Sequence, residues 1–287
     1  MTYTKQILKY KKAYKNWLSV ILSIIQQKDR IALMRNGSVI PTIFLSIQVK
    51  ELEDMGMKPE YDISTDTLAF EYKGMTIKLN GSAYNGDIVG IFCNESYGFL
   101  DVDGKFVIDV GSNIADSAIY FALNGAKKVL AYEPYPKVYN LAVENVKKMD
   151  LSDIISIVNA GVGSENSYMQ IADLFETTAI PLTKVQSGIS IPITSLNEII
   201  SQIPSTDIML KMDCEGCEYD ALSSVQPKNF LKLKKVVVEY HHGPERLVSI
   251  FRENGYICNA SEPVTAKKGP GKPCRIGFIR AERSSLI

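Results

Sequence analysis

The sequence predicts an α/β fold built around a parallel sheet, and three segments carry this prediction. Residues 106–125 are, in order, a short apolar run, a glycine and an amphipathic stretch. Residues 128–132 and 208–212 are two more apolar runs, and each is followed by an acidic residue. A strand that is buried on both faces of a parallel sheet is a nearly continuous apolar run. The carboxyl ends of such strands share one edge of the sheet, and ligands bind there in open α/β sheets.

The first segment is predicted to be a strand, a glycine turn and a helix. The strand is Phe106–Val110, and Gly111 ends it. Ser112 and Asn113 follow, and both are residue types that cap helix N-termini. Apolar residues then recur at helical spacing as far as Gly125, which stands where a glycine commonly ends a helix. This unit is typical of the opening of a nucleotide-binding domain.

The second segment indicates how a nucleoside is held. Lys128–Tyr132 is predicted to be the second strand, and it leads into Glu133 and Pro134. An acid at this point, about twenty positions after the glycine turn, can accept hydrogen bonds from both ribose hydroxyls. Gly111 allows the backbone to approach the ligand closely. Asp109 lies just before the turn and is predicted to reach the amino group of the ligand.

The glycine pattern favours a cationic ligand over a dinucleotide. Dinucleotide sites usually carry G-x-G-x-x-G, with a phosphate on the helix N-terminus. Residues 109–115 read D-x-G-x-N-x-A, with one glycine and an acid at the mouth of the site. The acid disfavours a pyrophosphate and suits the ammonium and sulfonium groups of S-adenosylmethionine. An NAD-dependent oxidoreductase on the same fold is the alternative from another enzyme class.

Three segments together resemble the FkbM-type family of S-adenosylmethionine-dependent methyltransferases. They are residues 107–117, 131–134 and 210–218, which read VIDVGSNIADS, AYEP and LKMDCEGCE. The resemblance covers Tyr84 to Arg283; it departs at Ser112 and at Ala115, where the family usually has glycine. It implies a Rossmann-like class I methyltransferase sheet with helices on both faces and a C-terminal antiparallel hairpin. It also implies S-adenosylmethionine as the cofactor.

The ends of later strands complete the predicted cofactor site. The third strand, Ile154–Val158, runs into Asn159, where an adenine commonly lies in this fold. The fourth strand, Ile208–Asp213, aims the Asp213 side chain at the same edge. The candidate cofactor-binding residues are Asp109, Gly111, Ser112, Asn113, Glu133, Pro134, Asn159 and Asp213.

Acidic side chains and a histidine are predicted to lie beside the sulfonium. The fifth strand, Lys235–Tyr240, carries one of them and precedes a pair of histidines, of which one is expected to be exposed. The candidate catalytic residues are Asp213, Glu215, Glu239 and His241. The histidine could act as a general base near neutral pH. The acids could instead hold a divalent ion, but the favoured prediction has no metal. Glu218 is as well placed to cap a helix N-terminus as to serve the site.

Residues 1–83 are predicted to form a small helical and α+β cap, followed by the methyltransferase domain at 84–287. Met1–Gln27 has the pattern of one amphipathic helix, with lysines crowded into its first half. Those lysines are either solvated or a basic surface for RNA or anionic lipid. The alternation around Lys73 and Gly74 predicts a hairpin, and residues 88–97 are predicted to be a helix.

The C-terminal part is predicted to add a helix and a hairpin. The helix is Glu245–Asn254, and Gly255 ends it. Tyr256–Asn259 and Arg275–Arg280 are predicted to pair as strands around a loop at residues 267–273, which is rich in glycine, proline and lysine.

Composition adds limits on location and partners. The formal net charge is zero over 287 residues, so nothing global indicates nucleic acid or a membrane surface. The five cysteines are scattered and do not suggest a disulfide framework, which favours a reducing cytoplasm. Cys214 and Cys217 form a C-x-x-C after a strand, as a redox motif might, whereas a zinc site would need a second such pair. The apolar stretch near the N-terminus is too short to span a bilayer.

The favoured function is transfer of a methyl group from S-adenosylmethionine to a hydroxyl oxygen of a small molecule or sugar. The first alternative is an RNA methyltransferase or RNA-binding protein that uses the basic N-terminal helix. The second is the NAD-dependent oxidoreductase.

Overall fold

The computed structural model describes residues 3–26, 28, 30–171, 184–186, 188–266 and 274–284. The chain divides into two compact units, Met1–Glu95 and Ser96–Ile287. The functional boundary that the sequence predicts at residue 84 stays a prediction. Of the helices within the described residues, none is both long and apolar enough to cross a membrane.

The first unit combines helices with short antiparallel strands. Its elements in chain order are α1 (Tyr3–Ala13), α2 (Trp17–Gln26), β1 (Ala32–Leu33), β2 (Val39–Ile40), α3 (Ile43–Asp54), β3 (Glu60–Asp62), β4 (Thr67–Tyr72), β5 (Met75–Asn80) and a π-helical turn (Val89–Cys93). β1 pairs with β2, and β3, β4 and β5 form an antiparallel sheet in that order. Buried Phe70 of β4 packs edge-on against Phe92 of the π-helical turn, with ring centroids 5.0 Å apart. This unit has the α+β character predicted for the N-terminal region.

The N-terminal helix is interrupted, so the prediction of one helix over Met1–Gln27 is wrong. The break begins at Tyr14, whose side chain is buried and whose backbone forms an antiparallel bridge with Met34. The next residue, Lys15, donates its backbone N–H to the carbonyl of Leu33 at 2.7 Å. The chain therefore exchanges helical hydrogen bonds for pairing with a later segment, which local periodicity does not reveal.

The hairpin predicted around Lys73 and Gly74 is confirmed. β4 and β5 pair in register from Thr67 opposite Asn80 to Tyr72 opposite Met75. The two loop residues have φ values of 48° and 78°. Two positive φ angles in a two-residue loop match the twist of the flanking strands.

The second unit contains the main sheet. Its elements in chain order are a 3₁₀ turn (Gly98–Leu100), β6 (Phe106–Val110), α4 (Asp116–Leu123), β7 (Lys128–Tyr132), α5 (Pro136–Lys148), β8 (Ile155–Val158), β9 (Gly161–Gly163), β10 (Ser167–Ile171), β11 (Ile189–Ser195), α6 (Leu196–Gln202), β12 (Ile208–Met212), α7 (Glu218–Ser223), α8 (Pro227–Phe230), β13 (Leu233–Tyr240), α9 (Glu245–Glu253), β14 (Tyr256–Ala260), β15 (Val264–Ala266) and β16 (Cys274–Arg283).

The order of the main sheet confirms the predicted fold class. The strands run β14-β16-β13-β12-β6-β7-β8, and β15 pairs with β16 beside this path. The five strands from β13 to β8 are parallel, whereas β16 is antiparallel to both β13 and β14. All five residues of β12 are buried. Because successive side chains of a strand point to opposite faces, this central strand is covered on both sides.

Helix α4 begins later than the sequence predicts. Ser112 and Asn113 were expected to cap it, but the N-cap is Ala115, with φ of 68°, and the helix starts at Asp116. The expected caps are wrong because the chain first passes through left-handed conformations, at Asn113 as well as at Ala115. The predicted C-terminal glycine is confirmed, since Gly125 follows the helix with φ of 91°.

Two other segments differ from expectation. Residues 88–97, predicted to be a helix, contain only the π-helical turn before the 3₁₀ turn begins at Gly98. A separate three-stranded sheet, in the order β10-β11-β9, includes the short strand β9, which was not predicted. The loop predicted at residues 267–273 lies outside the described residues.

Candidate active site

The turn after β6 is closed in a way that only glycine allows. Gly111 has φ of 77°, and a Cβ placed there would lie 1.8 Å from the backbone oxygen of Asp213. The backbone N–H groups of Gly111 and Ser112 both donate to the carbonyl of Tyr132 at 3.0 Å. The turn thus joins the carboxyl ends of β6, β7 and β12. Their shared edge is where the sequence places a ligand.

Glu133 occupies the centre of this edge. Its carboxylate is almost fully buried, and it accepts hydrogen bonds from the backbone N–H groups of Asn113 at 3.1 Å and of Tyr135 at 2.9 Å. Burial raises the pKa of Glu133 to about 8, even though both hydrogen bonds act to lower it. The carboxyl therefore lies beside the glycine turn in the position predicted for a ribose acceptor. Gly111, Ser112, Asn113 and Glu133 are called the glycine-turn cluster below.

Two polar atoms of this cluster lack a hydrogen-bond partner among the described residues. They are the Ser112 Oγ and the Asn113 Oδ1, and both are buried. Buried polar atoms are normally hydrogen-bonded, so each such atom calls for an explanation, such as a ligand or water at the site.

Asn159 and Pro134 support the glycine-turn cluster through hydrogen bonds to the backbone. The Asn159 side-chain amide donates to the backbone carbonyls of Glu133 at 2.9 Å and Pro134 at 3.0 Å. These bonds hold the loop after β7 against the end of β8. Contact of either residue with an adenine stays a prediction.

Asp109 forms a buried ion pair that the sequence analysis did not identify. Its side chain has no exposed area, and the Lys211 Nζ lies 3.0 Å from its Oδ1. Ser117 donates its hydroxyl to the other carboxylate oxygen at 2.6 Å. Lys211 also donates to the carbonyl of Gly111 at 2.6 Å. Both oxygens of Asp109 therefore have partners inside the protein, and its contact with the amino group of a ligand stays a prediction.

The pair holds Lys211 in its charged form. Burial acts to lower the pKa of Lys211, but the negative charges of Asp109 and Asp213 outweigh it, and the pKa lies above its usual value. The ring of Tyr97 lies over the ammonium, 5.6 Å from Nζ to the centroid. The signal for this pair was a lysine and an aspartate placed inside two strands that are otherwise apolar.

The loop after β12 carries acidic side chains toward the same edge. It bends at Glu215 and Gly216, which have φ values of 58° and 125°. Glu218, fully buried at the start of α7, accepts a hydrogen bond from the backbone N–H of Cys214 at 3.1 Å. Cys214 is joined to Cys217 by a disulfide. A disulfide was not the favoured prediction for this C-x-x-C; the tight turn brings the two sulfur atoms together.

His241 is the centre of a second cluster. Its side chain is 2% exposed, and its Nδ1 lies 3.1 Å from the Glu218 Oε1. Its Nε2 faces three carboxylates: the Glu215 Oε2 at 3.2 Å, the Asp213 Oδ1 at 3.9 Å and the Glu239 Oε1 at 3.9 Å. The four predicted catalytic residues therefore converge, and Asp213, Glu215, Glu239 and His241 are called the acid–histidine cluster below. The neighbouring His242 is exposed, as was expected of one of the two histidines.

Burial and charge act in opposite directions in this cluster. Burial raises the pKa of Asp213, although the charges of Lys211 and His241 act to lower it. Burial acts to lower the pKa of His241, but its hydrogen bond to Glu218 and the surrounding carboxylates hold that pKa above its usual value. An acid-rich, partly exposed surface of this kind attracts cations and repels phosphates.

A comparison with models of protein families shows which family the chain belongs to. The model of the methyltransferase FkbM domain matches residues 109–258, a little over half of the chain. The chain belongs to the FkbM methyltransferase family. The match includes every residue of the glycine-turn and acid–histidine clusters, and it confirms the resemblance given by the three sequence segments.

Two viral proteins are similar to this FkbM-family chain. Uncharacterized protein 158B of Sulfolobus islandicus rod-shaped virus 1 is 25% identical over 159 residues, which are 55% of this chain and 74% of that protein. Uncharacterized protein 65 of Sulfolobus islandicus filamentous virus is 34% identical over 79 residues. Those residues are 27% of this chain and 50% of the filamentous-virus protein, so the chain spans about half the length of that relative.

Solved structures with a similar arrangement include other methyltransferases. The methyltransferase FkbM of Methylobacillus flagellatus KT is 16% identical, with a TM-score of 0.42, over 62% of this chain and 43% of that one. Precorrin-6y C5,15-methyltransferase of Geobacter metallireducens GS-15 is also 16% identical, with a TM-score of 0.42, over 70% and 93% of the two chains.

Proposed function

We propose that this FkbM-family chain transfers a methyl group from S-adenosylmethionine to a hydroxyl oxygen of a small molecule or sugar. The observation that carries the proposal is the buried Glu133 carboxylate at the end of β7, beside the closed turn at Gly111. In this fold, an acid at that point accepts the hydroxyls of a ribose.

The glycine-turn cluster is the cofactor side of the proposed site. Glu133 would hold the ribose, and the unpartnered Ser112 Oγ and Asn113 Oδ1 would find partners on the ligand or on water that comes with it. Asp109 and Lys211 would support the turn, because Lys211, which is paired with Asp109, donates a hydrogen bond to the carbonyl of Gly111. The site has one glycine and several acidic side chains, whereas a pyrophosphate needs a glycine-rich loop whose backbone N–H groups point at it.

The acid–histidine cluster is the acceptor side. In the proposed reaction the acceptor oxygen forms a bond to the methyl carbon as the sulfur–carbon bond breaks. The acceptor hydroxyl gives its proton to a base of the cluster, either His241 or one of the carboxylates, and the products are a methyl ether and S-adenosylhomocysteine. The carboxylates of Asp213, Glu215 and Glu239 would orient the hydroxyl and place negative charge near the sulfonium. Such positioning can lower a barrier by about 7–11 kcal/mol.

The proposal is tested by thermal unfolding with S-adenosylhomocysteine, S-adenosylmethionine and NAD in parallel. A ligand at about a hundred times its dissociation constant should raise the midpoint by roughly 5–10 °C for a domain of this size. We expect S-adenosylhomocysteine to do so in the wild type and not in Glu133→Ala. Glu144→Ala, which removes an exposed glutamate on α5, is the matched control and should respond like the wild type. A shift with NAD alone, or with none of the three, would contradict the proposal.

A further inference from the structure

We propose that Asp213, Glu239 and His241 form a binding site for one divalent metal cation. Each offers one ligand atom, and the three atoms lie within 4.8 Å of one another. Atoms that bind one ion at about 2.1–2.2 Å are separated by up to roughly 4.4 Å. The side chains therefore need to move by only a few tenths of an ångström to share an ion.

The imidazole of His241 is the observation that distinguishes this group from an ordinary acidic surface. The side chain is 2% exposed, and no described residue makes a hydrogen bond to its Nε2. The Nε2 points into the acid–histidine cluster, 3.2 Å from Glu215 Oε2 and 3.9 Å from Asp213 Oδ1 and from Glu239 Oε1. A buried ring nitrogen without a hydrogen bond is costly, and a metal ion bound among these carboxylates would give it a partner.

The other ring nitrogen of His241 is held by a carboxylate, as is common for histidines that bind metals. The Nδ1 lies 3.1 Å from the Glu218 Oε1, and Glu218 is itself held by the backbone N–H of Cys214. A carboxylate that binds one nitrogen of a histidine orients the ring and leaves the other nitrogen as a metal ligand. Glu218 would have this role here, outside the ion's own ligands.

The charges around the group also favour a cation. Glu215 brings a third carboxylate to within 3.2 Å of the Nε2, beside those of Asp213 and Glu239. Like charges gathered in a partly buried place repel one another, and one divalent ion at their centre would offset this repulsion.

The donor set indicates which ion to use. Carboxylate oxygens suit Mg²⁺ and Mn²⁺, whereas an imidazole nitrogen shifts the preference toward transition metals. Mn²⁺ satisfies both. The side chains of Asp213 and Glu239 are 28% and 20% exposed, so one side of the ion would remain open to solution.

That open side gives the ion a role that rests on the proposed function. An acceptor hydroxyl that binds the ion would be oriented toward the sulfonium, and its pKa would be lowered. The hydroxyl proton would then leave to solvent or to a carboxylate, and His241 would be a ligand and not the general base.

The test is a titration of the protein, first treated with EDTA and desalted, with Mn²⁺ followed by electron paramagnetic resonance. We expect one Mn²⁺ per chain to bind at concentrations below about 1 mM. Glu239→Gln and His241→Asn should each weaken binding at least about tenfold. Asp220→Asn removes the same charge from an exposed residue of α7 and should bind as the wild type does.

Circular dichroism shows whether the two variants are folded. Glu239 is partly exposed, so Glu239→Gln keeps the test valid if His241→Asn does not fold. No binding by the wild type, or equal binding by Glu239→Gln, would overturn the metal site.

The same samples are titrated with S-adenosylhomocysteine in EDTA. Cofactor binding without Mn²⁺ binding refutes the metal site alone, and Mn²⁺ binding without cofactor binding refutes the proposed function alone.

Discussion

Glu133 is predicted to make cofactor binding depend on pH. Its pKa of about 8 means that the carboxyl is mostly protonated below that pH when no ligand is bound. Ribose hydroxyls donate hydrogen bonds to the ionised form, so binding lowers this pKa and releases a proton. The affinity for S-adenosylhomocysteine should therefore rise with pH, by up to about tenfold per unit, and level off above pH 8.

Calorimetric titrations from pH 6 to pH 9 measure this dependence. Glu133→Gln keeps a hydrogen-bonding side chain but cannot titrate, so its affinity should change little over the same range. An affinity for the wild type that does not change between pH 6 and pH 8 would refute the role given to this carboxyl.

Among the ion pairs of the described residues, that of Lys211 and Asp109 should be the most costly to break. Both side chains are almost fully buried, so Lys211→Met would leave the Asp109 carboxylate without its counter-ion. Removing one partner of a buried pair typically costs about 3–5 kcal/mol. Unfolding in urea should show a loss of this size, and adding Asp109→Asn to the variant should restore part of it.

The matched control is the pair of Lys105 and Asp207, whose side chains are 35% and 39% exposed. Lys105→Met should cost no more than about 1 kcal/mol, because solvent screens exposed pairs. Equal losses for the two lysine variants would show that burial does not set the strength of the Lys211 pair.

The turn between β6 and α4 can be tested with two glycines that have similar backbones. Gly111 and Gly104 have φ values of 77° and 67°, but a Cβ at Gly104 meets no atom within 4 Å. Gly104→Ala should cost about 1–2 kcal/mol, the penalty of the left-handed conformation. Gly111→Ala should add about 1–3 kcal/mol from the clash with Asp213 and should also weaken S-adenosylhomocysteine binding. Equal stability and cofactor affinity in the two variants would show that close approach at Gly111 is unimportant.

The elements that the sequence predicted well are those set by local chemistry. The strands Phe106–Val110 and Lys128–Tyr132 have the predicted bounds, since an apolar run and the residues that end it lie within each segment. The break at Tyr14 was missed because it depends on pairing with residues around Met34, far along the chain. The start of α4 was missed because Ala115, a residue that rarely adopts positive φ, does so here.

The candidate site also combines features set by the local sequence with features set by contacts between distant residues. Strand ends and parallel topology were enough to bring Asp213, Glu239 and His241 together. The pairing of Asp109 with Lys211 could not be read from spacing, because the two residues lie on neighbouring strands that are far apart in the chain. The signal in the sequence was a charged residue inside each of two otherwise apolar strands, and it does not say which residues pair. Glu218 was ambiguous in sequence because a helix N-terminus and a histidine partner both favour an acid.

For the whole molecule, the open alternative is RNA as the acceptor. Lys11, Lys12 and Lys15 are exposed at and just beyond the end of α1, while the formal net charge of the chain is zero. With a small hydroxyl acceptor, RNA binding should be weak and nearly independent of salt. Binding of a single-stranded RNA, measured by fluorescence anisotropy at 50–200 mM salt, checks this. Affinity that falls steeply with salt and is lost in Lys11→Gln/Lys12→Gln would favour the RNA methyltransferase instead.

A crystal structure of the protein with S-adenosylhomocysteine would decide most directly whether this edge of the sheet binds the cofactor. We predict the nucleoside over the carboxyl ends of β6 and β7, with the ribose hydroxyls within hydrogen-bond distance of Glu133. The homocysteine sulfur should face the acid–histidine cluster. Ligand bound elsewhere, or absent from this edge at saturating concentration, would contradict the assignment of Glu133 and the methyltransferase function built on it.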